Sequence, residues 1–176
     1  MSSFCESALN GTELYGRIRM KNQHLEGLVV NITEIQSRPP VLIQQLLDVW
    51  ERSVKATHLF LSDQEIQNIK PDVPQALSSV ANLIIAENET GRPVAFMGIE
   101  DQTLEMLFIA PEERGKGVGK CLMLYGIEHY KIQKLAVNEQ NPEAKGFYEH
   151  MGFKARKQSE CDEQGRPYPL IYMSRL

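Results

Sequence analysis

Residues 114–119 read Arg-Gly-Lys-Gly-Val-Gly, and this is the stretch whose residue types and spacing say most about chemistry. Gly115, Gly117 and Gly119 have no Cβ, so a ligand can approach the main chain closely and the turn can adopt positive φ. Val118, Leu122 and Tyr125 then recur at helical spacing, which predicts that the turn opens into a helix. The first N–H groups of a helix have no intrahelical acceptor and sit at the positive end of its dipole, so they attract phosphate. Arg114, Lys116 and Lys120 surround the turn with mobile positive charge. The chemistry implied is a backbone cradle for a phosphate group.

Two familiar phosphate loops fail on spacing. A Walker-type loop needs glycine five residues ahead of its Gly-Lys pair and Ser or Thr after it, but Arg114 and Cys121 hold those places. A dinucleotide-binding turn needs a third glycine where Lys120 stands. A solvated turn that only caps a core helix is the plain alternative. Arg114, Gly117 and Gly119 do match the Arg/Gln-x-x-Gly-x-Gly/Ala signature of the GCN5-related N-acetyltransferases (GNAT). Downstream, residues 138–153 read NEQNPEAKGFYEHMGF. Asn141 is a good helix N-cap, Pro142 suits the first turn and Gly152 can end the helix. Ala144, Phe147, Tyr148 and Met151 form one apolar face. The segment resembles the same family's Asn-x-x-Ala-x-x-Phe-Tyr-x-x-x-Gly-Phe motif through Asn141, Ala144, Phe147, Tyr148, Gly152 and Phe153. Two paired motifs make the chain, over residues 28–176, similar to that family.

The resemblance implies transfer of acetyl from acetyl-CoA to a primary amine of a small molecule or peptide, by direct attack in a ternary complex. The CoA diphosphate would lie on the N–H groups of residues 115–119, with the pantetheine arm along the strand Leu107–Ile109 like an added β-strand. Asn141 is implied near the CoA arm, and a backbone N–H near Ile109 as the oxyanion donor. An alkylamine has a pKa of about 10.4 and a thiol about 8.5, so the first needs a base and the second an acid. Tyr148 stands at the family's general acid. Alternation along Leu104–Ile109 puts Glu105 on the face of Leu107 and Ile109, where the family often has an acidic base; a surface charge at the strand end is the alternative. Residues 50–61 fall where the family shapes its acceptor pocket, so His58 is a candidate to line it or to relay protons. With NEQN at 138–141 and GRPYPL at 165–170, the chain looks like the YjaB-type bacterial branch, which adds Asn138 and Tyr168 to the acceptor side. Tyr168 either reaches the pocket or only orders its loop. A non-catalytic acyl-CoA sensor with the same fold, and an unrelated nucleotide-binding protein, are the competing readings.

The elements that must position these residues follow from the pattern. A strand over Leu28–Ile35 precedes a helix introduced by Pro39-Pro40, with a buried stripe of Leu42, Ile43, Leu46, Leu47, Trp50 and Val54. A second helix begins after Ser62, whose pairing with Glu65 makes a capping box, and ends before Pro71. Strands are expected at Val80–Glu87, Pro93–Glu100, Leu104–Ile109, Lys134–Asn138, Phe153–Glu160 and Leu170–Ser174, with helices at 117–130 and from Asn141. The fold class is α/β: the resemblance implies a central twisted mixed sheet of about seven strands with about four helices. Residues 1–27 read as a tail outside the domain, and Met20 as a second candidate start.

With 42% hydrophobic and 24% charged residues, the chain can build an ordinary globular core. A net charge of −4 and no basic stretch argue against nucleic acid as partner. Three widely spaced cysteines show neither a disulfide framework nor metal-ligand spacing, and no apolar run suits a membrane span or a signal core. We expect a soluble cytoplasmic protein without a metal, and edge strands near the C-terminus allow a homodimer.

Overall fold

The computed structural model describes residues 17–21 and 29–175. Among them, eight strands form one mixed sheet in the order β1-β2-β3-β4-β5-β6-β8-β7. β2 (Val29–Ile35), β3 (Asn82–Glu87), β4 (Pro93–Glu100) and β5 (Thr103–Ile109) pair antiparallel with one another in that order. β6 (Lys134–Asn138), β8 (Leu170–Ser174) and β7 (Lys154–Ser159) continue the sheet, with β5·β6 its parallel pair. These are the seven strands expected. The eighth, β1 (Arg17–Lys21), pairs with β2 and corrects the reading of a tail for those five residues, Met20 lying opposite Val30. The rest of 1–27 lies outside the described residues.

Helices cover both faces. α1 (Pro40–Thr57), α2 (Asp63–Ile69) and α3 (Val73–Ser79) pack on one, α4 (Val118–Tyr130) and α5 (Pro142–His150) on the other. The strands must therefore be apolar on both sides. In β3, Leu83 and Ile85 face α1–α3 while Ile84 and Ala86 face the α4–α5 side, and β4 is buried throughout except at Glu100.

α1 starts with Pro40 at its first position and buries Leu46, Leu47, Val49, Trp50, Ser53 and Val54. The Ser62–Glu65 capping box of α2 is present. α2 ends at Ile69, before Pro71 as expected, but the chain keeps winding past that proline. Pro71 sits early in a 3₁₀ turn, Lys70–Asp72, which leads directly into α3 with Pro74 in its first turn. A proline in a first turn lacks only an N–H that has no intrahelical acceptor, so it punctuates helices without stopping the chain from helical winding. Arg38 donates to the carbonyls of Leu77 (3.0 Å) and Ser78 (2.8 Å), satisfying acceptors that the C-terminus of α3 leaves open.

Two irregularities in β5 matter most. Met106 lies opposite Gly98 but Leu104 lies opposite Ile99, so Glu105 is an extra residue, a β-bulge. Across the bulge the alternation changes phase. Leu104 joins Leu107 and Ile109 on the α4–α5 side, while Met106 and Phe108 face α1–α3. Strict alternation would have put Glu105 with Leu107 and Ile109; the bulge removes it from that set. The second irregularity is that β6 pairs with β5 only at Thr103↔Lys134 and Leu104↔Leu135. Beyond Leu104 the two strands part, and the sheet opens.

Candidate active site

The glycine turn follows β5 through a short 3₁₀ turn, Pro111–Glu113, and ends at the N-terminus of α4. Gly117 is the N-cap at φ 90°, a left-handed conformation that a side chain would strain. The first helical bond of α4 is Cys121 N–H to the Gly117 carbonyl. The N–H groups of residues 115–120 find no acceptor among the described residues. Gly119 serves a different end, because a Cβ there would meet Ile109 Cδ1 at 2.7 Å, so its absence lets α4 lie close on β5. Arg114 is held by Glu143 on α5 (2.7 Å) and Lys116 by Glu113 (3.3 Å).

This cradle is one end of a cavity of about 370 Å³ that is walled from both faces of the sheet. Leu107, Ile109, Arg114, Gly115, Gly117, Val118, Gly119, Lys120, Asn141 and Tyr148 line it, together with His58 from the opposite face. Lys116, expected with them, pairs with Glu113 and is not part of the lining. The parting of β5 and β6 makes room for the cavity. Ala110 N–H donates to the Val94 carbonyl (2.8 Å). Hydrogen-bonded and non-bonded pairs alternate along an antiparallel ladder, so Leu107 and Ile109 are non-bonded pairs with β4. Their N–H and C=O groups turn toward the gap that β6 leaves.

Tyr148 is 8% exposed, with the rings of Phe147 (5.3 Å) and Phe153 (6.3 Å) set edgewise against it. Burial pushes its phenol well above the ordinary value, so it carries its proton at neutral pH. It reaches the cavity from α5, whose start is fixed by Asn141. That residue is itself buried and accepts from Ala144 N–H (3.1 Å). From the other face, His58 caps the C-terminus of α1 and contacts Phe60 (5.4 Å) and Phe108 (6.3 Å). Burial lowers its pKa to about 4, leaving a neutral imidazole.

Besides Lys116, three expected residues are not brought to this cavity. Glu105 lines a separate cavity of about 520 Å³ with Glu163, Asp162 and Arg156, where burial, Glu163 and Glu100 raise its pKa. Asn138 shapes the turn before α5: its side-chain oxygen accepts from Gln140 N–H (2.8 Å) and its carbonyl from Asn141 N–H (3.0 Å). Tyr168 donates to Glu65 on α2 and leans on the Phe60 ring (6.0 Å), so of its two readings the loop-ordering one describes its contacts. Residues missed from sequence include Ser53, Thr57 and Phe108, which line the cavity beside His58. The signal for the first two was a pair of small hydroxyl residues one helical turn apart at the end of an apolar stripe, with Ser53 5% exposed.

The fold and a cradle joined to a buried tyrosine define an acyl-transfer protein, and the Acetyltransferase (GNAT) domain family matches residues 55–170. The chain belongs to that family and is an N-acetyltransferase. It is 40% identical over 131 residues to the peptidyl-lysine N-acetyltransferase YjaB of Escherichia coli, covering 74% of this chain and 88% of that protein. The Salmonella typhimurium YjaB is 40% identical over 73% of this chain and 88% of its own length. The solution structure of apo-form YjaB from Escherichia coli superposes with a TM-score of 0.74 at 38% identity, covering 82% of this chain and 97% of that one. The PaiA N-acetyltransferase of Thermoplasma acidophilum, solved with coenzyme A, shares the fold at a TM-score of 0.61 and 19% identity, over 85% of this chain and 100% of that one. No helix among the described residues is long and apolar enough to cross a membrane.

Proposed function

We propose that this acetyltransferase moves the acetyl group of acetyl-CoA to the side-chain amine of a lysine presented by a peptide or protein in the cytoplasm. The observation that carries the reading is the cavity that joins the phosphate cradle to Tyr148 and His58 through the opened sheet. The N–H groups at 115–120, which find no acceptor among the described residues, and the left-handed Gly117 fit a diphosphate. The outward groups of Leu107 and Ile109 fit a peptide-like pantetheine arm, and the Ile109 N–H suits a carbonyl oxygen that gains negative charge. Acetyl-CoA supplies an activated thioester. Tyr148 keeps its proton until a thiolate departs and then donates it. A lysine acceptor is supported by the names of the YjaB relatives and by the apolar walls that Phe108 and Leu107 supply beside His58, which suit an alkyl chain ending in an amine.

The test is acetyl-CoA turnover against a panel of lysine peptides, free amino acids and small amines. Acetylation of internal lysine peptides, lost when the lysine is replaced by arginine, is expected. Tight CoA binding with no transfer to any amine would instead make the chain an acyl-CoA sensor.

A further inference from the structure

Resting on that acetyl-transfer reading, we propose that Nε2 of His58 accepts the proton of the attacking amine, and that Thr57 is the positioning residue that keeps this atom available. Chain geometry sets the tautomer. Thr57 Oγ1 donates its one proton to the Ser53 carbonyl (2.9 Å). The same oxygen lies 2.8 Å from His58 Nδ1, and with its proton committed it can only accept there. Nδ1 therefore carries the hydrogen of the neutral ring, and Nε2 carries the lone pair. No group among the described residues hydrogen-bonds Nε2, and it is not a sealed, unsatisfied atom, so its lone pair is accessible on a ring that lines the cavity.

The other ionisable groups on this cavity are placed for other work. Glu113 and Glu143 are bound to Lys116 and Arg114 at the cradle end, where Lys120 adds further positive charge. Tyr148 and the exposed His150 belong to α5, on the face opposite His58. The Glu65 carboxylate, reached beyond Phe60 through Tyr168, is taken by Ser62 and Tyr168. Glu105 lines the separate cavity. His58 is thus the base-type side chain on the α1 face of the cavity, with Tyr148 as acid on the α5 face. Environments that push an acid and a base apart in this way mark the two roles.

The proton balance closes. An alkylammonium first gives one proton to solvent and enters as the neutral amine. Its nitrogen bonds the thioester carbon while the carbonyl π pair moves to oxygen. The N–H proton made acidic by attack passes to His58 Nε2, and the carbonyl re-forms as the C–S bond breaks. The departing thiolate takes the proton of Tyr148. Imidazolium and phenolate are left, and solvent returns a proton from one to the other. The partial negative charge at the C-terminus of α1, which His58 caps, stabilises the imidazolium while it exists.

The experiment compares His58→Gln, His58→Ala, Thr57→Val, Thr57→Ser and Tyr148→Phe on the lysine peptide found by the panel. Circular dichroism and calorimetric CoA affinity must match the parent. His58→Gln should lower kcat by about 10²–10⁴-fold. Added imidazole should restore part of the His58→Ala rate in proportion to its neutral form, and should not restore Tyr148→Phe. Thr57→Val should lose kcat with little change in KM, and Thr57→Ser should regain it. Parental kcat in His58→Gln, or a loss that neutral imidazole never relieves, overturns the proposal. If the parent itself acetylates no amine, the acetyl-transfer reading has failed and takes this inference with it; if the parent acts and His58→Gln equals it, only the inference has failed.

Discussion

Burial moves Tyr148 and His58 in opposite senses because it always disfavours the charged form: the phenol resists losing a proton and the imidazole resists gaining one. Both are neutral at rest, and in the proposed mechanism each changes charge only as the reaction supplies a partner. Tyr148→Phe keeps the ring that packs on Phe147 and Phe153 and removes only the donor. It should lower kcat by about 10²–10⁴-fold and leave CoA affinity near the parent's, measured by steady-state kinetics beside calorimetry. Unchanged kcat with chemistry rate-limiting would take Tyr148 out of the mechanism. At the cradle the proposed CoA contacts fall on backbone N–H groups more than on any one charge. Gly117→Val places a β-branched residue at φ 90°, a strain of roughly 1–2 kcal/mol, and tilts the N–H fan. CoA affinity should fall strongly. Lys116→Ala should cost little, since Lys116 is outside the cavity and already paired with Glu113. Equal affinity in Gly117→Val and the parent would refute the phosphate assignment.

Among the elements, α1 is tied to the chain that follows it by one carboxylate. Glu51 accepts from Lys70 (2.6 Å), Lys55 (2.9 Å) and Gln67 (3.2 Å), and these bonds, Lys70 first, hold its pKa at about 2. A folded-state pKa below the unfolded value of 4.5 means this stabilisation is whole above 4.5 and is lost as pH falls toward about 2. The melting temperature should therefore drop across that window, and Glu51→Gln should be less stable at neutral pH with a shallower drop. A parallel fall in both proteins would show that other carboxylates dominate. The elements themselves were mostly legible, because hydrophobic period and cap chemistry are local. Ser62 with Glu65, Asn141 with Pro142, and the two family motifs each declare themselves within a few residues. The bulge at Glu105 was not legible, because an extra residue is defined by the register of the opposite strand and not by its own sequence. α3 was missed because Pro71 and Pro74 look like stops, yet each occupies a first turn. The place of His58 in the site was legible only through the family, and its tautomer only through the Thr57–Ser53 bond.

For the whole molecule, a ligand bound only by the folded state stabilises it by mass action, about 2.7 kcal/mol at a hundredfold excess over Kd. For a chain of this size that is a rise in melting temperature of roughly 5–11 °C. Acetyl-CoA should produce it, and ATP, NADH and free phosphate should produce less at matched concentrations. A larger shift with ATP would favour a nucleotide as the natural ligand.

On the proposed function, the parting of β5 and β6 would give the two substrates separate doors. The cradle belongs to the α4–α5 face and His58 to the α1 face, so a folded protein resting against α1 leaves the other side uncovered. Spent CoA would then depart and a fresh donor enter while the acceptor stays seated. On a protein with several neighbouring lysines, the enzyme should then act processively. Early in the reaction, intact mass spectra should show multiply acetylated molecules beside untouched ones, and a single smoothly advancing distribution would mean that each transfer ends the encounter.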